Sequence, residues 1–265
     1  MGDAVLTQAQ YGKAEVRLLY VDRGSDHHEI TDLNVSIALA GGLTDTYLTG
    51  DNTNVLTTDA QKNTVYAFAR KFGVTPVEEF AQRLASHFAG TGPVERAQVR
   101  VEKYGWQRID AHGAPHPHSF EQQAGTRVTS VLAHADGGTE VVAGVTGLVL
   151  LKSSGSEFRG FLQDPYTTLE PTDDRILATA VRAHWRNARE DVDWDVSFSG
   201  ARAALVEAFA VTHSRSLQQT LYAMGEAVLA ARPEVSEVRF ALPNKHHFLV
   251  DLGAGALAGD PEHQW

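Results

Sequence analysis

The sequence contains no cysteine and only two methionines among its 265 residues. Without cysteine, the chain cannot form a disulfide, a thiolate nucleophile, a Cys-ligated zinc site or a Cys-bound iron–sulfur cluster. No apolar stretch approaches the roughly 20 residues that cross a bilayer, and the start, Met1 to Ala4, lacks the basic-then-apolar profile of a secretory signal. We therefore expect a cytoplasmic protein that makes no membrane contact.

Positive charge is also scarce, with 23 Lys and Arg against 33 Asp and Glu and a formal net charge of −10. A nucleic-acid surface requires a concentrated Lys/Arg footprint, which this balance argues against. An anionic small molecule would need a few local cations to bind it against the overall field. Lys13 and Arg175 are the cations of interest, although most such side chains are solvated or paired on the surface.

The first half of the sequence predicts two strands, two helices and two further strands. Apolar residues at every second position from Leu33 to Leu39 have the period of a half-buried strand. Thr58 opens a capping box that predicts a helix ending at Gly73, and Thr75 opens a second box before another apolar stripe. The predicted elements are strands 15–21 and 33–39, helices 58–72 and 76–89, and strands 97–109 and 127–134.

The second half predicts the same order without obvious sequence repetition. Its predicted elements are strands 140–152 and 176–186, helices 200–212 and 216–232, and strands 235–242 and 247–252. Stretches 110–126 and 155–174, rich in Gly, Pro, His and Asp, are predicted as loops. Each half thus predicts an antiparallel four-stranded sheet with its helices on one face, an α+β arrangement. Open sheet edges are a liability, so we expect an oligomer that pairs them, for example as a closed barrel.

Several segments, taken together and in order, resemble the urate oxidase (uricase) family. They are Tyr11-Gly12-Lys13, Thr57 to Thr64, His116-Pro117-His118-Ser119-Phe120, Leu150 to Ser153 with Phe158 to Phe161, Tyr166 to Leu169, Asp174 to Leu177, Ser216 to Thr220, and Leu242 to Phe248. The resemblance covers almost the whole chain. It implies a tandem T-fold, with one ββααββ unit over residues 1–136 and a second over 137–265. It also implies a homotetramer built as a tunnel-shaped β-barrel.

The resemblance implies oxidation of urate by O2 to 5-hydroxyisourate and hydrogen peroxide, in purine degradation, with no cofactor and no metal. Urate is a flat, electron-rich anion, so its binding needs an aromatic face and hydrogen-bond donors along its edge. The family's binding positions correspond to Phe158 stacking on the ring, Arg175 on one edge and Gln218 on the other. Leu217 corresponds to a backbone amide donor. Taken alone, Arg175 could equally pair with a neighbouring aspartate, Asp173 or Asp174.

The same resemblance implies a proton relay of Lys13, Thr58 and His246. An amine, a hydroxyl and an imidazole bonded in series can carry a proton away from urate. Thr58 and Asn244 would hold dioxygen or water over the ring, and Asp59 would place its backbone near the ligand. Taken alone, Thr58 is equally a helix cap. The resemblance also implies sites at subunit interfaces, with Thr58 and Asp59 supplied by a neighbour, and the origin of Thr58 and Arg175 in opposite halves is compatible with this pattern.

Two other interpretations remain open. The imidazoles of His112, His116 and His118 could form a zinc or copper site if a further ligand converged on them. A T-fold protein could also bind a purine or pterin without oxidising it, although Lys13, Thr58 and His246 are all present. Peroxisomal family members end in a receptor-read tripeptide that this sequence lacks, which favours a cytoplasmic, bacterial-type enzyme.

Overall fold

The computed structural model of the chain describes residues 4–189 and 191–247. The elements in this part of the chain are β1 (Tyr11–Asp22), β2 (Glu29–Gly41), α1 (Thr44–Leu48), α2 (Thr58–Phe72), α3 (Val77–Ala89), β3 (Val94–Ala111), β4 (Ala114–His134), β5 (Thr139–Lys152), β6 (Leu177–Asn187), α4 (Trp194–Val211), α5 (Leu217–Ala231) and β7 (Val235–Ala241). The predicted order of strands and helices is confirmed over these residues, and the short helix α1 is an addition to it.

The strands form one antiparallel sheet in which the spatial order is the chain order, β1 to β7. The two halves are joined where β4 pairs with β5, with Val131 opposite Val141. The two sheets expected from the sequence are therefore continuous within one chain. Apart from His247, the predicted last strand, 247–252, lies outside the described residues.

The helices cover one face of the sheet, as the alternation of apolar residues predicts. Leu33 and Val35 of β2 are fully buried against the helices of the first half, while the second core surrounds Trp185, Leu205 and Met224. Burying a large aliphatic or aromatic side chain stabilises the fold by roughly 1.5–3 kcal/mol. No helix in residues 4–189 or 191–247 is long and apolar enough to cross a membrane.

Helix α4 begins at Trp194, whereas the sequence pattern predicted a start near Gly200. Asp193 caps the helix, its side chain accepting a hydrogen bond of 3.1 Å from the backbone N–H of Val196. Trp194 is 3% exposed and packs into the core of the first half. The apolar pattern of α4 did not predict this first turn, because Trp194 packs against the first half and the rest of the helix packs against the strands of the second half.

Both predicted capping boxes are wrong in detail. In α2 the cap is Thr57, whose hydroxyl accepts from the N–H of Ala60 at 3.1 Å, and Thr58 is the first helical residue. Helix α3 follows Pro76 and has no side-chain cap. Its Glu78, expected to complete the second box, is instead buried in a salt bridge of 2.7 Å with Arg127.

Residues 110–126, expected to be a loop, continue β3 and β4 as a long two-stranded ribbon that turns after Ala111. Arg108 donates hydrogen bonds to the carbonyls of His116, Pro117 and His28, which ties the ribbon to the turn between β1 and β2. A ribbon exposed on both faces has no apolar alternation, so periodicity could not reveal it. The second predicted loop, 155–174, contains no helix or extended strand.

Candidate active site

The segment after β5 and the segment before β6 lie side by side and carry Phe158 and Arg175. Phe158 exchanges backbone hydrogen bonds of 2.9 and 3.1 Å with Thr172. The guanidinium carbon of Arg175 lies 4.8 Å from the centroid of the Phe158 ring, a cation–π contact. The ring of Phe161 stacks on that of Phe158, with centroids 5.0 Å apart and planes 11° apart. An aromatic face and a guanidinium are thus brought together as the sequence predicts.

The charge of Arg175 is not neutralised by either neighbouring aspartate. Asp173 pairs with Arg159 at 2.6 Å, and Asp174 accepts hydrogen bonds from the segment after β5. The Nε of Arg175 is shielded from solvent and has no hydrogen-bond partner among the described residues. A shielded donor of this kind costs free energy unless an acceptor satisfies it, so the site favours an anionic ligand with acceptor atoms.

The start of α5, which carries Leu217 and Gln218, follows a loop that is bonded to the Phe158 segment. Ser216 caps this helix by accepting from the N–H of Gln219 at 3.1 Å, so Gln218 lies exposed in the first turn. Leu217 is half-buried and packs on the second core. The loop before the helix is joined to the Phe158 segment through Ser214, which is bonded to the Gly155 carbonyl at 2.9 Å and the Glu157 N–H at 2.8 Å.

Asn244 and His246 belong to the same group, beside the start of β6. Asn244 lies opposite Thr179 in an isolated bridge, and the N–H of Lys245 donates to the carbonyl of Ala178 at 2.8 Å. The side chains of Asn244 and His246 are 3.5 Å apart, between Nδ2 and Nδ1. We call Phe158, Arg175, Leu217, Gln218, Asn244 and His246 the second-half group.

Lys13 lies on β1, directly before an irregularity in the pairing of β1 with β2. The register shifts between Lys13 and Val16, and Glu15 has a left-handed φ of 58°. Bulges of this kind often redirect a side chain next to an active site. A Cβ on the preceding Gly12 would lie 1.8 Å from the carbonyl oxygen of Ile37, so only glycine allows β1 to approach β2 here.

Thr58 and Asp59 form the exposed first turn of α2, close to Lys13. Asp59 binds Lys62 at 2.6 Å and Asn63 at 2.8 Å. The pKa of Asp59 is lowered, chiefly by the hydrogen bond and charge of Lys62 and more weakly by the charge of Lys13. We call Lys13, Thr58 and Asp59 the first-half group.

The two groups are far apart within one chain. Lys13 is on edge strand β1, whereas Arg175 and Asn244 adjoin β6, five inter-strand spacings away, or about 24 Å along the sheet. Following the strand pairing across the sheet from Lys13 leads to Asn187, at the end of β6. Arg175 lies just before Leu177, at the start of β6. That adds about 33 Å along the strands. The structure thus gathers the predicted residues into two groups at diagonally opposite corners of the sheet.

The histidines of the competing metal interpretation are partly clustered. His116 and His118 lie on β4 with ring centroids 4.5 Å apart, and the ring of His28 is 5.9 Å from that of His118. Within residues 4–189 and 191–247, no group of three or more His, Cys, Asp or Glu side chains is arranged to hold a metal ion.

The sequence did not predict the contacts that Asp174, Lys152 and Phe161 make beside Phe158 and Arg175. Lys152 donates from Nζ to the carbonyl of Thr212 at 2.5 Å, which ties the end of β5 to the loop before α5. The pKa of this lysine is lowered, mainly by burial. The aromatic spacing of Phe158 and Phe161 was a signal for their stacking, whereas no local pattern predicts which atoms Lys152 and Asp174 bind.

Comparison with known proteins gives one family. The sequence matches the family model described as Uricase over residues 9–131 and 141–265. It is 49% identical over 249 residues to the uricase of Arthrobacter globiformis, which covers 94% of this chain and 81% of that protein. It is 36% identical over 257 residues to the uricase of Aspergillus flavus, covering 92% and 85% respectively.

The fold comparison gives the same result. The crystal structure of uricase from Arthrobacter globiformis aligns with a TM-score of 0.93 at 45% identity, covering 100% of this chain and 91% of that chain. A uricase from Bacillus fastidious aligns with a TM-score of 0.81 at 22% identity, covering 98% and 92%, and shows likeness of fold alone. Since the family model spans both halves and the relatives are similar across nearly the whole chain, the chain belongs to the uricase family.

Proposed function

We propose that this chain is a urate oxidase that converts urate, O2 and water to 5-hydroxyisourate and hydrogen peroxide. The observation that carries the proposal is Arg175, a cation with a shielded, unbonded Nε against the ring of Phe158. A purine anion matches both features, because it offers acceptor atoms along its edge and a π face for stacking.

Binding is the first step, and the second-half group performs it. Phe158 stacks on the purine ring through a face that Phe161 or the Arg175 guanidinium covers in this structure. Arg175 donates to one edge of urate, and Gln218, exposed at the start of α5, grips the opposite edge. The backbone N–H of Leu217 is a further donor, since the first N–H groups of a helix have no partner within the helix.

Oxidation follows removal of a proton from bound urate, because the more electron-rich dianion passes an electron to O2 more readily. Lys13, Thr58 and His246 carry that proton away as an amine–hydroxyl–imidazole relay. Thr58 and Asn244 hold O2 or water over the ring, and Asp59 places its backbone beside the ligand. We propose that this chemistry needs neither metal nor organic cofactor.

The separation of the two groups in one chain supports a site shared between subunits. In this proposal one subunit supplies Lys13, Thr58 and Asp59, and a neighbour supplies the second-half group. Edge strand β1 has a free edge within the described residues, and pairing of such edges is a common route to closed assemblies. We propose a homotetramer in the form of a tunnel-shaped barrel.

Two finer parts of the proposal concern organisation and location. We place the boundary between the two T-fold units at residues 136 and 137, between the end of β4 at His134 and the start of β5 at Thr139. We also propose a cytoplasmic location, which fractionation of expressing cells would check.

The direct test adds urate in air, follows the loss of its ultraviolet absorbance and measures peroxide with and without a chelator. We expect stoichiometric peroxide in both cases. Urate binding without peroxide would favour the alternative of a T-fold protein that binds a purine without oxidising it. Loss of activity with chelator would favour the metal-enzyme interpretation.

Two substitutions separate binding from chemistry. Arg175→Ala should weaken urate binding by about a hundredfold, because a charge-assisted contact made with the anion contributes up to about 3 kcal/mol. Arg83→Ala, which removes an exposed arginine paired with Glu79 on α3, is the control and should bind urate normally. Lys13→Ala should instead lower kcat with a modest change in KM, and unchanged turnover would remove Lys13 from the relay.

A further inference from the structure

Asp174 precedes Arg175 and binds the chain segment that leads to Phe158. Its Oδ2 accepts a hydrogen bond of 2.6 Å from the hydroxyl of Ser154, and its Oδ1 accepts one of 3.0 Å from the backbone N–H of Ser156. Its carbonyl accepts from the hydroxyl of Thr172 at 2.8 Å. One residue therefore connects the segment before β6 to the segment after β5.

The segment that Asp174 holds is also attached to the start of α5. Ser156 is fully buried and lies beside Ser214, which is fully buried as well. Ser214 is bonded in turn to Thr220 of α5 at 2.8 Å, between their hydroxyl oxygens. The position of Asp174 thus bears on three elements at once, namely those that carry Phe158, Arg175 and Gln218.

The hydrogen bonds to Asp174 also determine where its charge lies. Ser154 and, next, the N–H of Ser156 lower the pKa of this carboxyl group, so it is ionised at neutral pH. Its two oxygens are bonded to Ser154 and Ser156 and form no salt bridge with the guanidinium of Arg175. A carboxylate free to turn toward Arg175 would neutralise it and compete with an anionic substrate.

We propose that Asp174 is a positioning residue for substrate binding, which fixes the relative placement of Phe158, Arg175 and Gln218 and keeps its own carboxylate away from the guanidinium. The inference rests on the proposed function, because it assigns the ligand of this site as the urate anion. Asp174 itself does not contact the substrate in this proposal.

The test compares Asp174→Ala and Asp174→Asn with the control Asp173→Asn. Asp173 is the adjacent exposed aspartate, paired with Arg159 outside this network. Two quantities are measured: the Kd of urate without O2, so that no turnover occurs, and KM and kcat in air. Asp174→Ala should raise Kd and KM by about tenfold or more while kcat stays within about threefold, because hydrogen bonds that place the binding groups are lost.

The conservative variant provides a readout that simple loss of stability would not give. An asparagine oxygen can still accept from the N–H of Ser156, and its amide can donate to the hydroxyl of Ser154. Asp174→Asn should therefore recover most of the affinity, and Asp173→Asn should match the wild type. The proposal would be overturned if Asp174→Ala and Asp174→Asn raised Kd equally, or if Asp174→Ala changed kcat alone.

If Asp174→Ala fails to fold, Ser154→Ala decides the matter. Ser154 is exposed, so its loss leaves the core intact and removes only one of the two bonds to the carboxylate. We expect a rise in Kd of about threefold, and an unchanged Kd would contradict the inference. If the wild-type protein neither binds nor oxidises urate, the proposed function itself fails. If the wild type binds urate and the variants bind it equally well, only the inference about Asp174 fails.

Discussion

Two adjacent threonines at the start of α2 have different environments. The hydroxyl of Thr57 accepts a hydrogen bond from the N–H of Ala60 and so satisfies one of the free donors of the helix start. Thr58, one residue later, is exposed, and capping does not occupy its hydroxyl. The residue with the relay role proposed here is therefore separate from the residue that stabilises the helix.

This separation predicts that one of two neighbouring substitutions lowers stability and the other lowers kcat. Thr57→Ala should lower the free energy of unfolding by about 1 kcal/mol, the usual cost of losing a side-chain cap. Thr58→Ala should leave stability within about 0.5 kcal/mol, since it is an exposed site, but should reduce kcat. Denaturant titration and steady-state rates on both variants would check this, and a large loss of stability in Thr58→Ala would contradict the assignment of the cap.

At the scale of elements, Arg127 of β4 links a helix of each half. It pairs with Glu78 of α3 at 2.7 Å and with Asp195 of α4 at 2.6 Å, and its guanidinium lies 4.4 Å from the ring centroid of Phe198. Glu78 is 1% exposed, and burial raises the pKa of its carboxyl while Arg127 opposes that rise. The buried guanidinium of Arg127 thus joins the halves by reaching Asp195 and the carbonyl of Trp194, in addition to the β4–β5 pairing.

Removing this arginine should leave a buried carboxylate without its counter-charge. We expect Arg127→Met to lower the free energy of unfolding by about 3–5 kcal/mol, and the double variant with Glu78→Gln to recover part of that loss. Arg83→Met is the control, because Arg83 forms an exposed pair with Glu79 whose contribution is about 0.5 kcal/mol or less. Equal losses in the two single variants, measured by denaturant titration, would show that the buried pair of Arg127 and Glu78 contributes no more than an exposed pair.

At the scale of the whole molecule, the decisive feature is the diagonal separation of the first-half and second-half groups. The first-half group lies on and beside edge strand β1, and the second-half group adjoins β6, near the opposite end of the strands of one continuous sheet. Bringing them together in one chain would require breaking the sheet. Two copies related by symmetry can instead present one group each to a common cleft.

Subunit complementation tests this arrangement. Thr58→Ala and Arg175→Ala chains, each of low activity alone at subsaturating urate, are co-expressed with different affinity tags and isolated as mixed oligomers. Random assembly gives each site an even chance of an intact first-half group and an even chance of an intact second-half group. About a quarter of the wild-type activity should therefore return. No recovery in mixed oligomers of confirmed composition would place both groups in one chain.

Much of the fold could be predicted from local pattern. The alternation around Leu33 and Val35 identified a strand, and the apolar stripe of α3 identified a helix, because burial of one face imposes a period on neighbouring residues. The ribbon at 110–126 and the first turn of α4 could not be predicted in this way. The ribbon is held by hydrogen bonds from Arg108 to carbonyls that include one distant in sequence, that of His28. The first turn of α4 is positioned by Trp194, which packs into the core of the first half.

By itself, the sequence determined the order of strands and helices, the side of the sheet that the helices cover, and the family resemblance that pointed to Lys13, Phe158 and Arg175. Only the tertiary structure decided that Arg175 is left unpaired by its neighbouring aspartates. It also decided that Lys13 and Arg175 lie at opposite corners of one sheet. The physical reason is that periodicity reports contacts made within a few residues, whereas hydrogen-bond partners and the placement of corners depend on residues far apart in the chain.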